Sequence, residues 1–226
     1  MKNELKFYEK SHKYKIGNKE LVSVTTFIGQ FFEEFDAKEI ARKLAKFPRN
    51  KALKHGVRYW LADWKARAEY GTLVHKEIED YINNTIIPKE LKSLQGITAF
   101  HVLTSRVDDV FAEKRVFNEE LGIAGTIDLM IDKEDGITLV DWKSNKKLDN
   151  TAYNNKKGIK KPLLDVNDTK INRYTLQLSL YAYMLELDGY KIDKLFIVHL
   201  LDDEYRLIEV CYDKELIIKM LKEKDD

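Results

Sequence analysis

The sequence predicts an α/β protein, with a central mixed β-sheet flanked by helices and an N-terminal hairpin and helical portion before it. Three observations carry this reading. Between residues 37 and 107, apolar positions recur at helical spacing. Three short strand-like runs then follow, DVFAEKRVF, IAGTIDLMI and ITLVDWKS, separated by the turn residues Asn118, Gly122 and Asp135-Gly136. Finally, the amphipathic pattern INRYTLQLSLYAYMLELDGY leads into two more strand-like runs, KLFIVHLL and YRLIEVCY.

Taken in order, KFYEKSHKYKI and KELVSVTT alternate apolar and polar residues around Gly17-Asn18, which reads as a β-hairpin. Asp36 is the expected N-cap of a helix over AKEIARKLAKF, which Pro48 ends. VRYWLADWKARAEY is expected as one helix and GTLVHKEIEDYINN as another starting near Gly71. Pro88 opens a helix running to about Val107. Residues 144–172 are polar and rich in Lys and Asn, so they read as a long loop, and loops of that length are usually functional or disordered. The chain closes with a helix from Asp213. The expected organisation is one domain over 1–226, with the hairpin and helical portion at 1–109 and the catalytic sheet core at 110–226.

Composition narrows the function classes. At 226 residues with 44% hydrophobic content, the chain can bury one sizeable core, and no apolar run is long enough for a membrane span. The opening Met1-Lys2-Asn3-Glu4-Leu5-Lys6 has no apolar segment of the secretory kind, and a cytoplasmic location is expected. The single cysteine, Cys211, excludes an internal disulfide framework and a four-cysteine zinc or iron–sulfur site. Net charge is only +1, yet Lys38 to Tyr70 holds ten Lys or Arg against three Asp or Glu, and Lys143 to Arg173 holds nine against three. Two basic blocks around a carboxylate-bearing centre suit a polyanion held over a metal; solvated helix faces are the bland alternative.

The centre is GIAGTIDLMIDKEDGITLVDWKSNKK, residues 122–147. On a strand, residues i and i+2 share a face, so Asp141 and Lys143 point one way and Val140 and Trp142 the other. Asp128 shares a face with Thr126 and Met130, leaving Ile127, Leu129 and Ile131 for the core. The hairpin turn can bring the two aspartates side by side, where they repel unless a cation lies between them. A divalent metal with oxygen ligands, Mg²⁺ by default, answers that repulsion; a surface ion-pair hairpin is the alternative. Lys143 cannot ligate as an ammonium ion, but it can position a water or offset charge on a phosphate. Asp63-Trp64-Lys65 is an identical tripeptide, but it lies in a helical pattern with no partner strand.

Gly125-Thr126-Ile127-Asp128 followed by Val140-Asp141-Trp142-Lys143 resembles the core of the PD-(D/E)XK nuclease superfamily in its RecB-type branch. Further motifs occur in the order of that branch: GTLVH (Gly71 to His75), Glu113 in AEKRVF, and QLSLY (Gln177 to Tyr181). HKYKIGNKELVSVTT is similar to the N-terminal hairpin of phage exonucleases and of the mitochondrial genome maintenance exonuclease. The resemblance implies a restriction-endonuclease-like fold. It also implies a metal site built from His75, Glu113, Asp128, Asp141 and the backbone carbonyl of Trp142, with Asp128, Asp141, Lys143 and Glu113 catalytic. It implies that Gln177 and Tyr181 contact DNA or the surroundings of the lysine.

The expected activity is therefore that of a Mg²⁺-dependent deoxyribonuclease, with Mn²⁺ as a substitute and no iron–sulfur cluster. An exonuclease of phage or bacterial recombination or repair is favoured, with 5′→3′ polarity. A structure-specific endonuclease and a DNA-binding module with a vestigial site are the rivals. DNA is the expected partner, held by the loop lysines Lys146, Lys147, Lys156 and Lys157 as well, with a single-strand annealing or single-strand-binding protein beside it and no membrane. The loop from Ser144 to Arg173 is expected to be mobile until substrate orders it. Tyr59, Trp60 and Trp64 in the first basic block are read mainly as helix packing, with base stacking as the alternative.

Overall fold

The computed structural model describes residues 5–8, 13–104, 109–148 and 150–223. It is an α/β fold with an eight-stranded mixed sheet flanked by helices, consistent with the restriction-endonuclease-like class. The strands run β1 (Leu5–Tyr8), β2 (Lys13–Ile16), β3 (Lys19–Ser23), β4 (Asp109–Asn118), β5 (Ile123–Lys133), β6 (Gly136–Lys143), β7 (Ile192–Leu200) and β8 (Tyr205–Val210). The helices are α1 (Val24–Gly29), α2 (Ala37–Ala45), α3 (Pro48–Ala52), α4 (Val57–Asn84), α5 (Leu91–Leu103), α6 (Lys170–Leu187) and α7 (Lys214–Lys222).

The expected turn at Gly17-Asn18 joins β2 to β3, and β1 adds to β2. Glu9 to His12, inside the expected first strand, lie outside the described residues, as does Val107 at the expected end of α5. The strand through VSVTT stops early, because the Ser23 hydroxyl accepts from Thr26 N–H and caps α1. Asp36 caps α2 by accepting from Glu39 N–H. Pro48 lies beyond the end of α2 and opens α3, since its missing N–H is harmless at a first helical turn. Pro88 falls in the connection before α5, whose N-cap is Glu90.

The two helices expected on either side of Gly71 are one continuous helix of 28 residues. A helical glycine costs only about 1 kcal/mol relative to alanine, so it weakens a long helix without ending it. Here the bare Cα serves packing, because a Cβ on Gly71 would sit 3.3 Å from Ser144 Oγ at the end of β6.

Two apolar layers sandwich the sheet. On one face α1, α6 and α7 cover Ile123, Leu139, Leu195 and Ile197. On the other, Val74 and Ile78 of α4 and Ala99 of α5 meet Leu129, Val140, Trp142 and Val198. Strand alternation in β6 thus works as expected: Val140 and Trp142 lie in the α4–α5 layer, leaving Asp141 and Lys143 to the α6 side.

The arrangement around β5 creates the site. β4 pairs along one edge of β5, from Ile123 to Asp132. The opposite edge is shared: β6 pairs antiparallel with Leu129–Lys133, and β3 pairs parallel with Ile123 and Ala124. Between those pairings β6 has parted from β5 while staying paired with β7, and Gly125 to Asp128 face a fork.

Residues 144–169 are not a plain loop. The segment carries a 3-10 turn at Tyr153–Asn155 and a bridge between Lys157 and Asn167, and its fully buried Leu163 anchors it in the core beneath α1 and α6. Ile159 N–H donates to Phe31 O at 2.8 Å, and Arg173 grips Asp168 through two bonds of 2.6 and 3.0 Å. Apart from that turn and bridge, the segment between β6 and α6 is the long loop expected. Turn residues and lysines hid a few apolar anchors.

Candidate active site

The last paired residues of the β5–β6 ladder are Leu129 and Val140, so Asp128 and Asp141 form the next facing pair, where the strands part. Asp128 uses that gap: its Oδ2 accepts from the Trp142 N–H at 2.8 Å, replacing a backbone ladder bond with a side-chain one. Across β4, Ala112 pairs with Leu129 and Lys114 with Ile127, which leaves Glu113 opposite Asp128. Glu113 has a φ of +49°, the left-handed region, which costs a non-glycine residue of order 1–3 kcal/mol and clusters at functional sites.

α4 brings the fourth group. His75 Nδ1 lies 3.5 Å from Asp128 Oδ2, and ligand atoms of His75, Glu113 and Asp128 all lie within 4.8 Å of one another. Sequence positions 75, 113 and 128, on a helix and two strands, thus converge. They stand in a cleft of about 1210 Å³.

Asp141 does not join that trio here. It is 2% exposed, and its carboxylate takes the nearest cation, Lys143 Nζ, at 2.7 Å from each oxygen. Gln177 Nε2 donates to Oδ1 at 3.2 Å, while Oδ2 is buried with no hydrogen-bond donor beyond that ion contact. Lys143 Nζ also sits 4.4 Å from the centre of the Tyr174 ring. A buried oxygen with spare acceptor capacity beside a His–Glu–Asp trio fits a hard divalent cation.

The protonation pattern agrees with that donor set. Burial, reinforced by the charge of Asp128, pushes the Glu113 carboxyl up to about 7. Burial likewise raises Asp141 to about 6, with Lys143 opposing the rise and Asp128 adding to it. For Asp128 burial acts upward too, but His75, Lys143 and the Trp142 N–H outweigh it and hold the group below the usual carboxylate range. Burial would lower His75, yet the Asp128 carboxylate beside it leaves the imidazole raised. Lys143 is raised as well, since Asp141 and Asp128 outweigh its burial. It stays an ammonium ion at neutral pH and can serve as a donor to developing charge, not as a general base.

α6 explains two more positions. Tyr174, Gln177 and Tyr181 form one stripe at spacings of three and four. Tyr174 lies under Lys143 and donates its hydroxyl to Asn145 Oδ1 at 2.9 Å, and Gln177 reaches Asp141. Tyr181 is 4% exposed and packs on Gly125, where any Cβ would stand 2.6 Å from the ring. That contact is the physical reason for a glycine inside β5. Tyr181 is therefore placed against the sheet rather than at the surface where a phosphate would meet it.

Sequence reasoning missed Tyr174, Asn145 and His199. His199 pairs with Lys143 in the β6–β7 register and its Nε2–H donates to Asn145 O at 2.7 Å, fixing the chain just after the lysine. Tyr174 was findable, since it stands three residues before Gln177 on the same helix face. His199 carried no local signal. Of the loop lysines, Lys146 and Lys147 are exposed, Lys156 pairs with Glu33, and Lys157 contacts Asp165 at 3.5 Å. In α4, Trp64 packs edge-on to Phe35 with centroids 5.3 Å apart, the Trp60 indole nitrogen is buried, and Tyr59 is 43% exposed with His55 stacked on it.

Among the described residues no helix is long and apolar enough to cross a membrane. No curated protein matches the chain at a significant level. Among solved structures, the chain is similar to the crystal structure of SSO0001, at 12% identity and a TM-score of 0.41, covering 90% of this chain and 74% of that one. The profile of the PD-(D/E)XK nuclease superfamily matches residues 30–205, a span that includes His75, Glu113, Asp128, Asp141 and Lys143. The chain belongs to the PD-(D/E)XK nuclease superfamily.

Proposed function

We propose that this nuclease is a divalent-metal-dependent deoxyribonuclease of the RecB-type branch, acting as an exonuclease in DNA recombination or repair. The observation that carries the reading is the convergence of His75, Glu113 and Asp128 within 4.8 Å at the fork where β6 leaves β5. In this reading those three residues would hold the metal, together with Asp141 and the Trp142 carbonyl. Mg²⁺ is the natural ion for so many oxygen donors, and Mn²⁺ suits the added imidazole. Bound there, the ion acidifies a water and stabilises charge on the phosphate.

The chain's own groups do the rest. Lys143, kept protonated by Asp141 and Asp128, donates to the charge that builds on the phosphate oxygens. Gln177 and Tyr174 hold the Asp141–Lys143 pair in place. Trp142 N–H fixes one oxygen of Asp128, so that carboxylate enters the reaction already oriented. Lys146, Lys147, Lys156 and Lys157 follow β6 and supply charge for the DNA backbone.

Exonuclease action, 5′→3′ polarity and a phage or bacterial setting rest on the resemblance of the motifs. End-labelled linear DNA incubated with Mg²⁺ tests them: mononucleotides or short products released from the 5′ end are expected. Internal cuts at branched junctions would favour the structure-specific endonuclease instead. No cleavage with Mg²⁺ or Mn²⁺ would leave a DNA-binding module.

A further inference from the structure

β6 ends at Lys143, whose register partner on β7 is His199. A lysine at a strand end has two freedoms: the backbone beyond it can fray, and a flexible four-carbon stem carries the ammonium. A group that donates to transition-state charge has to stand in one place, since a misplacement of about 1 Å can cost about a hundredfold in rate. Three elements meet the two residues that follow Lys143. Lys92 of α5 donates to Ser144 O at 2.9 Å, and the buried His199 donates to Asn145 O at 2.7 Å. From α6 the Tyr174 hydroxyl donates to Asn145 Oδ1 at 2.9 Å, which anchors the ring by its far end. The Lys143 ammonium lies over that ring, 4.4 Å from its centre.

This contact differs in kind from the ion pair with Asp141. A ring face attracts an ammonium through its quadrupole, yet it offers a divalent ion no carboxylate oxygen. Under the nuclease reading Asp141 is a metal ligand as well as the partner of Lys143, whereas the ring holds the ammonium without competing for the metal. Resting on that reading, we propose that Tyr174 is a positioning residue for Lys143. His199 fixes Asn145, Asn145 fixes the Tyr174 hydroxyl, and the ring face sets where the ammonium stands. The place of Tyr174 on α6, three residues before Gln177, puts the hold on Lys143 and the hold on Asp141 on one helix.

The test is a double-mutant cycle between Tyr174→Leu and Lys143→Ala, read in steady-state cleavage of labelled DNA with Mg²⁺. In the wild-type background Tyr174→Leu should lower kcat roughly 5- to 30-fold, the size of a desolvated cation–π contact, with KM within about threefold. In the Lys143→Ala background the same substitution should change the residual kcat by less than about twofold. Tyr174→Phe keeps the ring face and loses only its anchor on Asn145, so it should recover most of the lost rate. His199→Leu, which frees Asn145, should lower kcat several-fold when Lys143 is present and leave the Lys143→Ala rate alone. Mn²⁺ binding by calorimetry should keep its stoichiometry in every variant. Equal losses in both backgrounds overturn the proposal, because Tyr174 then acts through the fold or through Asp141, and so does an unchanged kcat in Tyr174→Leu. Should Tyr174→Leu not fold, Tyr174→Phe carries the same cycle, with a loss of about threefold expected only where Lys143 is present. If the wild-type chain does not cleave DNA with Mg²⁺ or Mn²⁺, the nuclease reading falls and this one with it; if it cleaves and the cycle shows no coupling, only this inference falls.

Discussion

Asp63-Trp64-Lys65 and Asp141-Trp142-Lys143 are the same three residues in different secondary structures. In α4 the helical period turns Asp63 and Lys65 to different faces, and each finds a partner four residues on. Asp63 pairs with Arg67 at 2.9 Å and Lys65 with Glu69 at 3.6 Å. Trp64 packs on Phe35. In β6 the two-residue period puts Asp141 and Lys143 on one face, 2.7 Å apart and nearly buried, with Trp142 in the opposite core. The helical copy meets local partners across a surface. The strand copy meets Asp128, His75 and Gln177 from three other elements. The chemistry thus belongs to the period of the backbone and to what lies opposite, and not to the tripeptide.

The sharpest way to break this comparison is to remove each carboxylate. Asp141→Ala and Asp128→Ala should reduce Mg²⁺-dependent cleavage to background, whereas Asp63→Ala should keep it within about threefold, since a half-exposed i,i+4 pair is worth only about 0.3–0.5 kcal/mol. Product release from labelled DNA measures all three. Full activity in Asp141→Ala would make the strand copy as ornamental as the helical one.

The lysines come next. Lys143→Ala should lower kcat by about 10²–10³, the usual effect of losing one donor to transition-state charge, while Mn²⁺ binding by calorimetry keeps its stoichiometry. Lys65→Ala should leave the rate unchanged. Disappearance of metal binding along with the rate would show that Lys143 acts through the fold.

A smaller effect is expected at Gln177, which has no counterpart around Asp63. Gln177→Leu removes the donor to Asp141 Oδ1, and a hydrogen bond to a buried charge is worth about 1.5–3 kcal/mol, so the rate should fall roughly 10- to 100-fold. Gln177→Glu should be worse than leucine, because it sets a third carboxylate beside Asp141. Equal rates for all three side chains would make the contact incidental.

The last contrast is in pH and concerns stability alone. Glu113 and Asp141, raised to about 7 and about 6, bind protons in the folded state that they release in the unfolded one. Metal-free stability should therefore decrease as pH rises from about 4.5 to 7.5, and raised His75 adds to the same trend. A divalent ion reverses it, so thermal melts should show a larger upward Tm shift with Mn²⁺ at pH 8 than at pH 5.5. The order should vanish in Glu113→Gln/Asp141→Asn. A shift independent of pH would mean that the ion binds away from these carboxylates.

The sequence by itself determined the order of the sheet-core elements, the Gly17-Asn18 turn, the cap at Asp36, the start of the last helix at Asp213, and the face shared by Asp141 and Lys143; the β5–β6 turn falls at Glu134-Asp135, one residue before the expected Asp135-Gly136. Each depends on residues within a few positions of one another, where period, capping and turn chemistry act. It also placed Glu113, Asp128 and His75 among the candidates, through motifs that the family resemblance supplied. Only the tertiary structure decided that α4 runs unbroken through Gly71 and brings that glycine close to Ser144, just past the end of β6. It alone set Glu113 opposite Asp128 in a left-handed backbone, turned Asp141 to Lys143, and brought His199 and Asn145 to the lysine. It alone found the buried anchors that fold residues 144–169. These outcomes depend on contacts between residues far apart in the chain, and burial there changes both the packing of a glycine and the charge state of a carboxylate.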